Sequence, residues 1–438
     1  MDGAPDFFAP NLRPGLVDQI QCTAPILARW LFQFKLEISP QHLERLQRID
    51  SQRLLLLPNH PTFHDPIVMF VLSGRLYYPC HFMAALETFI NPSVMLSISG
   101  MLSPLEGITR TPWFTRLFRR CLQSLGMYSV QRGYPDRSSV AATLKLLREP
   151  HCHLVIFPEG GCSFQNDTVM PFRTGGIQLA LQALNRFAKQ GLDIPDLYAV
   201  PIAIKYQYTR NMDRVIHDSL SRLEAALSLP SNHQSSDYER LRGVGAAVLN
   251  QLEQTYGLVA TSEEPPWTQR VQALRQHVLE TLEKSLQLEP ADTYLRERVY
   301  RIQKSLQPPL QIGSNLQADR DRIEPSEAIE RSTRRLLNFD AIYDGYVAAL
   351  PTPERFLDTL IRLEREVFDI DQPPPKGFRS ARILIGDPIN LKHHFDDFRR
   401  DRSGTVAQIT QQIQAAVQLS LDQFNQEVDQ GGSPQVHR

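Results

Sequence analysis

The chain has 438 residues, 42% hydrophobic and 22% charged, with a formal net charge of −1. That is the make-up of an ordinary globular protein with room for one large core or two units, and it lacks the basic excess that would favour nucleic acid. The cysteines, Cys22, Cys80, Cys121, Cys152 and Cys162, are scattered, with no Cys-x-x-Cys pair, so neither a disulfide framework nor a zinc site is expected and a reducing compartment fits.

The first residues, Met1 to Asp6, carry no basic segment and no apolar one, so no secretory leader is read. No apolar run approaches the ~18 residues that cross a bilayer. The expectation is a cytoplasmic protein which, if it works on lipid, lies on the membrane surface. Residues 15–35 read as an amphipathic helix whose flank of Pro25, Ile26, Leu27, Trp30, Leu31 and Phe34 suits either core packing or an interfacial anchor, with Arg29 and Lys35 beside it. Residues 40–49 look like a polar helix or turn, and 1–50 is taken as an N-terminal helical segment.

Leu54-Leu55-Leu56-Leu57 reads as a buried strand that breaks into Pro58-Asn59-His60-Pro61-Thr62-Phe63-His64-Asp65-Pro66. His60 and Asp65 are five apart, roughly 140° on a straight helix at about 100° per residue, so they meet only if the segment bends. Pro61 suits the first position of a helix, with Asn59 or His60 near its cap. Asp65 would then hold one imidazole nitrogen and leave the other as a base. The alternative is a capped helix start with an incidental histidine.

A helix continues over 66–74 and a strand follows at 79–85. Residues 109–125, with Trp113, Phe114 and Phe118 among Arg110, Arg116, Arg119 and Arg120, read as a basic aromatic helix from a Thr-Pro cap, either interfacial or packed on the sheet. Residues 127–133 alternate as a strand delivering Arg132 to a sheet edge. A helix covers 137–148. In His151-Cys152-His153, strand alternation sends Cys152 to the face opposite both histidines, so no metal is expected there. His153 to Phe157 is a buried strand running into Pro158-Glu159-Gly160-Gly161-Cys162-Ser163, where paired glycines let backbone approach a ligand closely. Residues 174–189 read as a helix and 197–204 as a strand in which Pro201 suggests an edge or bulge.

From 211 to 380 the sequence is polar with helical stripes: Val271, Leu274, Val278, Leu282 and Leu286; Leu295, Val299, Ile302 and Leu306; Phe356, Leu360, Leu363 and Val367. Pro265-Pro266, Pro308-Pro309 and Pro373-Pro374-Pro375 punctuate them. Residues 381–389 then return as a strand and turn, 404–427 form a helix, and 429–438 read as a loose tail. The fold expected is α/β, a layered sheet with flanking helices: a core at 51–210, a helical insertion at 211–380, the returning strand and C-terminal helix of the core at 381–425, and a flexible tail at 426–438. His60 with Asp65, Arg132 and Glu159-Gly160 all fall at strand ends, where α/β sheets place their sites.

These pieces, in this order, resemble the glycerolipid acyltransferase family, which acylates glycerol 3-phosphate and lysophosphatidic acid. His60-Pro-Thr-Phe-His-Asp65, preceded by Asn59, is similar to the family's H-x4-D motif. Val130-Gln131-Arg132 resembles its second motif, Phe157-Pro158-Glu159-Gly160 its third, and Val200-Pro201-Ile202 its fourth. Ile385-Gly386-Asp387-Pro388-Ile389 resembles the closing strand. The likeness covers about 30–210 and 380–425. It implies metal-free and cofactor-free acyl transfer from acyl-CoA or acyl carrier protein to a lipid acceptor at a membrane surface. His60 would be the general base, oriented by Asp65. Arg132, Glu159 and Gly160 would shape the acceptor site, with Arg132 pairing with phosphate. The third motif usually continues Thr-Arg-Ser and here reads Gly161-Cys162-Ser163, so one cation is missing, and Arg173 is the candidate to supply it. The alternatives are the same chemistry on a non-phosphate lipid acceptor, a non-catalytic lipid-binding protein, and hydrolase-like chemistry on Cys162.

Overall fold

The computed structural model describes residues 7–92, 111–133, 136–230, 235–258, 265–291, 293–306, 316–339, 345–370 and 373–431. The strands are β1 (Phe34–Ile38), β2 (Arg53–Pro58), β3 (Cys80–Ala85), β4 (Met127–Val130), β5 (His153–Val155), β6 (Leu197–Tyr208), β7 (Arg379–Ile385) and β8 (Ile389–Asn390). The helices before the insertion are α1 (Pro14–Leu31), α2 (Pro40–Gln47), α3 (Asp65–Ser73), α4 (Leu86–Ile90), α5 (Pro112–Ser124), α6 (Arg137–Leu146) and α7 (Gly175–Lys189). The insertion holds α8 (Asp213–Ala226), α9 (Asp237–Thr255), α10 (Trp267–Ser285), α11 (Leu295–Leu306), α12 (Leu316–Phe339), α13 (Tyr346–Ala349) and α14 (Pro353–Val367); α15 (Phe395–Arg400) and α16 (Arg402–Gly431) close the chain.

The strands form one sheet in the order β1-β7-β6-β2-β5-β3-β4, with β8 beside β6. From β6 to β4 every neighbour is parallel; β7 runs antiparallel to β6, and β1 parallel to β7. The leucine run of β2 reflects burial on both faces. Leu55 and Leu57 meet Ile177, Leu181 and Leu184 of α7 and Ile409, Ile413 and Val417 of α16. Leu54 and Leu56 meet Ala24 and Ala28 of α1, Val68, Met69 and Leu72 of α3 and Leu122 of α5. The result is a mostly parallel sheet between two helical layers, the α/β arrangement expected from the sequence. The stripes of the insertion build a separate third core around Val278, Ile302, Phe356 and Leu360.

Several elements differ from the sequence reading. The N-terminal segment is not purely helical: α1 stops at Leu31, and Phe34–Ile38 forms an edge strand against Arg379–Ile383 of β7. Phe34 therefore belongs to the sheet and is fully buried rather than lying on the flank of α1. The helix after β2 starts at Asp65, with Pro66 in its first turn, not at Pro61; neither Asn59 nor His60 caps it. The strand carrying Arg132 ends at Val130, leaving Arg132 in the following turn. Residues 426–431, expected in the flexible tail, continue α16, and the rest of that tail, like residues 109–110 and Pro308-Pro309, lies outside the described residues.

Pro201 does not mark an edge. It sits within β6, where β2 pairs with it on one side. On the other side β8 covers Tyr198 and Ala199 while β7 begins at Ile202, so the partner changes at Pro201. The Pro201 carbonyl accepts from Gly386 N at 2.9 Å on that side, so the missing N–H falls in the gap between two partners.

Past the end of β2, side chains continue the ladder. The Asn59 amide donates to Ile204 O at 3.0 Å and accepts from Ile204 N at 2.7 Å. Asn166 does the same with Tyr206, at 2.6 and 2.7 Å. Both asparagines are buried, and each satisfies two strand groups where no backbone reaches. Asn59→Ala leaves the Ile204 N–H and C=O unpaired and should lower unfolding free energy by about 2–4 kcal/mol, measured by urea denaturation. A change below about 0.5 kcal/mol would show that water replaces the amide.

Candidate active site

The C-terminal ends of β2, β3, β4 and β5 open onto one cavity of about 720 Å³ lined by His60, Phe63, Ala85, Glu87, Arg132, Phe157, Gly160, Cys162, Arg173 and Glu297, among others. The chain bends as His60 and Asp65 require. His60 Nδ1 lies 2.7 Å from Asp65 Oδ2. A carboxylate can only accept, so Nδ1 carries a proton, and Nε2 holds a lone pair whenever the ring is neutral. Asp65 is fully buried and is held by four donors: His60 Nδ1, Thr62 N at 2.8 Å, Thr62 Oγ1 at 3.1 Å and Tyr206 OH at 2.7 Å. It also opens α3, so its charge faces the helix N-terminus.

The imidazole is fixed on other sides too. Its ring lies 4.3 Å from the Phe157 ring. His60 N donates to Glu159 Oε1 at 2.7 Å, and His60 O accepts from Ser163 N at 2.8 Å. Burial by itself would keep His60 neutral; the Cys162 sulfur and the Asp65 carboxylate outweigh it and hold its pKa well above the ordinary value. Cys162 Sγ lies 3.5 Å from His60 Nε2. Burial pushes the Cys162 thiol up, against the pull of His60 and Arg296.

Glu159 does not line the cavity. It is buried behind His60, accepting also from Met170 N at 3.2 Å, and burial raises its carboxyl to about 7 against those donors and Arg296. It positions the His60 backbone. Gly160 has φ of +71°, and a Cβ there would fall 2.3 Å from the Arg173 guanidinium carbon, so the conformation favours glycine and any side chain there would displace the Arg173 head group. The sequence-derived residues His60, Arg132, Gly160 and Arg173 thus share one cavity, with Asp65 and Glu159 behind the base.

What the sequence reading missed comes from the insertion. Helix α11 lies over the Gly160–Cys162 turn. Tyr300 OH donates to Gly160 O at 3.1 Å, and Arg296 Nη2 to Cys162 O at 2.9 Å. Arg132 stacks over the Tyr300 ring at 4.4 Å and donates to its hydroxyl at 3.1 Å. Arg132 also pairs with Glu87 at 3.4 Å, and Arg173 with Glu297 at 2.7 Å. The only available signal was the i,i+4 spacing of Arg296 and Tyr300, off the Leu295-Val299-Ile302 stripe. Among the described residues no three His, Cys, Asp or Glu side chains converge to hold a metal ion. His151 and His153 instead bond the carbonyls of Ser51 and Asp50, at 2.5 and 2.8 Å.

A histidine at a strand end, backed by a buried carboxylate, stands where α/β sheets place their sites. Residues 106–205 match the family model described as Acyltransferase, that of the glycerolipid acyltransferases. The chain is accordingly an O-acyltransferase. The matched segment holds Arg132, Glu159, Gly160 and Arg173, and His60 and Asp65 precede it. No curated protein matches the chain.

A raised His60 pKa means that folding favours the imidazolium. The resulting stability is fully present below the unfolded value and lost as pH rises through the folded one. Asp65→Asn should move the His60 titration, followed by NMR of ¹³C-labelled histidine against a His60→Ala blank, to lower pH. An unmoved titration would remove Asp65 as a cause of the shift.

Proposed function

We propose that the protein moves a fatty acyl group from an acyl thioester, acyl-CoA or acyl carrier protein, to a hydroxyl of a lysophospholipid or glycerol phosphate. The observation that carries this is the oriented pair: a base with its Nδ1 proton held by buried Asp65 and its Nε2 in a cavity large enough for a lipid headgroup and thioester. His60 takes the acceptor hydroxyl's proton as the oxygen attacks the carbonyl carbon, and the donor leaves as thiol. Such catalysis contributes roughly 10²–10⁴-fold, enough for a thioester without metal activation. Arg132 and Arg173, both against the Tyr300 ring, are the cations offered to an acceptor phosphate.

A second reading keeps the chemistry and changes the acceptor to a lipid without phosphate. It is favoured by one observation: both arginines already face carboxylates, Glu87 and Glu297. Thiol release from palmitoyl-CoA and palmitoyl acyl carrier protein, with lysophosphatidic acid or monoacylglycerol, tests both. Release that needs acceptor and falls about 10²-fold or more in His60→Ala is expected. Monoacylglycerol outrunning lysophosphatidic acid would select the second reading, and no release with any pair would leave a lipid-binding protein.

A membrane-surface location is part of the proposal. Helix α1 turns Val17, Ala24 and Ala28 inward and leaves Ile26, Leu27 and Trp30 exposed, Trp30 at 72%. On α5, Trp113 and Leu117 are exposed, each at 58%, while Phe118 packs partly into the core. Among the described residues no helix is long and apolar enough to cross a membrane. Exposed tryptophan and leucine beside arginine suit the headgroup boundary. Replacing Trp30 and Trp113 with serine should reduce cosedimentation with anionic vesicles at unchanged melting temperature; unchanged binding would assign these rings another role.

A further inference from the structure

We infer that the cleft between α7 and α16 receives the phosphopantetheine arm of the acyl donor, the part that CoA and acyl carrier protein share, with its phosphate on Arg186, Lys189 and Arg402. That donor is the thioester of the proposed function, on which this assignment rests.

The cleft has a volume of about 600 Å³ and shares α7 with the catalytic cavity. Thr174, Gln178, Gln182, Asn185, Arg186 and Lys189 line it along one face of the helix. Gly175, Gly176 and Leu179, on the neighbouring face, line the cavity that holds His60. At about 100° per residue the two sets stand roughly 90° apart, so a chain-like ligand passes from one to the other around the first turn of the helix. Among the described residues that passage is open: Gly175 is exposed, and no atom lies within 4 Å of where its Cβ would be.

The chemistry along the cleft follows that of the arm. Its far end carries three cations, Arg186 and Lys189 of α7 and Arg402 of α16, and among the described residues no carboxylate lines it. The catalytic cavity differs, since there Arg132 faces Glu87 and Arg173 faces Glu297. Gln178, Gln182 and Arg186 recur every four residues and stand in one row, about 6 Å apart at 1.5 Å per residue. A phosphopantetheine arm has the same order and spacing. Its two amide nitrogens are roughly four bonds apart and the second lies roughly six bonds from phosphorus, or about 5 and 7 Å at the reach of an extended backbone. Amide meets amide twice, and phosphate meets guanidinium. Leu144, Phe398 and Val406, all buried, floor the cleft beneath the arm's methyl and methylene groups.

The position suits a water-borne donor. Helices α7 and α16 cover the face of the sheet opposite α1 and α5, the helices whose exposed Trp30 and Trp113 face the proposed membrane surface. Acceptor and donor then enter from opposite layers and meet at His60.

The test measures binding and transfer on the full chain. Titration calorimetry with CoA and with holo acyl carrier protein reads the cleft without turnover. In the triple variant Arg186→Gln, Lys189→Gln, Arg402→Gln, checked for wild-type melting, affinity for at least one of the two should fall about tenfold or more. Loss for CoA, for the carrier protein or for both names the source of the arm. In steady state the same variant should raise KM for the palmitoyl form of that carrier with kcat held. It should leave KM unchanged for palmitoyl-pantetheine, which has the amides and no phosphate. The double variant Gln178→Leu, Gln182→Leu should raise KM for palmitoyl-pantetheine as well. Wild-type affinity for both carriers in the triple variant, or a wild type that binds neither, would overturn the cleft assignment, while transfer from palmitoyl-pantetheine would keep the thioester reading standing. Carrier binding that needs the three cations, in a protein that transfers from no palmitoyl thioester, would sustain the cleft and overturn the thioester reading.

Discussion

The Asp65 carboxylate, fully buried with four donors around it, is the constraint on which the rest of the site depends. A buried charge is tolerable only when hydrogen-bonded on every side, and here the four donors come from three residues with different tasks. The His60 ring sets the base, Thr62 closes the turn between β2 and α3, and Tyr206 anchors the carboxylate to the far half of β6. Each hydrogen bond to such a charge is worth about 1.5–3 kcal/mol, so the turn holds its bend without being helical. The extension of β6 past β2, made possible by Asn59 and Asn166, is what brings Tyr206 to this point.

The insertion is mechanically part of the site. The stretch 160–167 is irregular and largely buried, so its carbonyls need donors that no strand supplies. Arginines from the insertion provide them: Arg296 bonds Cys162 O at 2.9 Å, and Arg362 bonds both Ser163 O and, at 3.0 Å, Phe164 O. Asp358 accepts from Asn166 N at 3.1 Å, and Asp167 is shared between Arg355 and Lys205 of β6, each at 2.5 Å. A planar guanidinium with several donors suits consecutive carbonyls better than an ammonium would. Desolvation has a visible cost: the Arg362 pKa falls to about 10. The helices from 213 to 367 therefore act as a brace on the loop that carries Gly160 and Cys162.

Much of this was legible in the sequence where the signal is local. The leucine run of β2, the turn after β5, the stripes of the insertion and the returning strand near 381 all declare themselves through apolar periodicity and glycine or proline punctuation. Other signals needed partners or were overrun. Phe34-Lys35-Leu36-Glu37-Ile38 alternates apolar and charged residues, a strand signal that the helix reading of 15–35 cut across, and it pairs with β7, more than 340 residues on. Pro201 looks like an edge residue until β8 and β7 are known to change over beside it. Arg296, Tyr300 and Tyr206 lay beyond reach, since nothing near them in sequence says which turn they meet.

The carboxylates facing the arginines connect acceptor binding to the brace. Arg132 pairs with Glu87 of α4, in the core, whereas Arg173 pairs with Glu297 of α11, in the insertion, and both guanidinium groups lie within 5.5 Å of the Tyr300 ring. On the proposed reading a phosphate reaching these cations competes with one carboxylate from each unit. Displacing Glu87 disturbs only the core side, but displacing Glu297 loosens a contact that helps seat α11. That helix also holds the Gly160 and Cys162 carbonyls through Tyr300 and Arg296. Acceptor charge and the position of the Cys162 turn are therefore coupled through one helix, with a sign set by whether the phosphate's bonds replace those lost from Glu297.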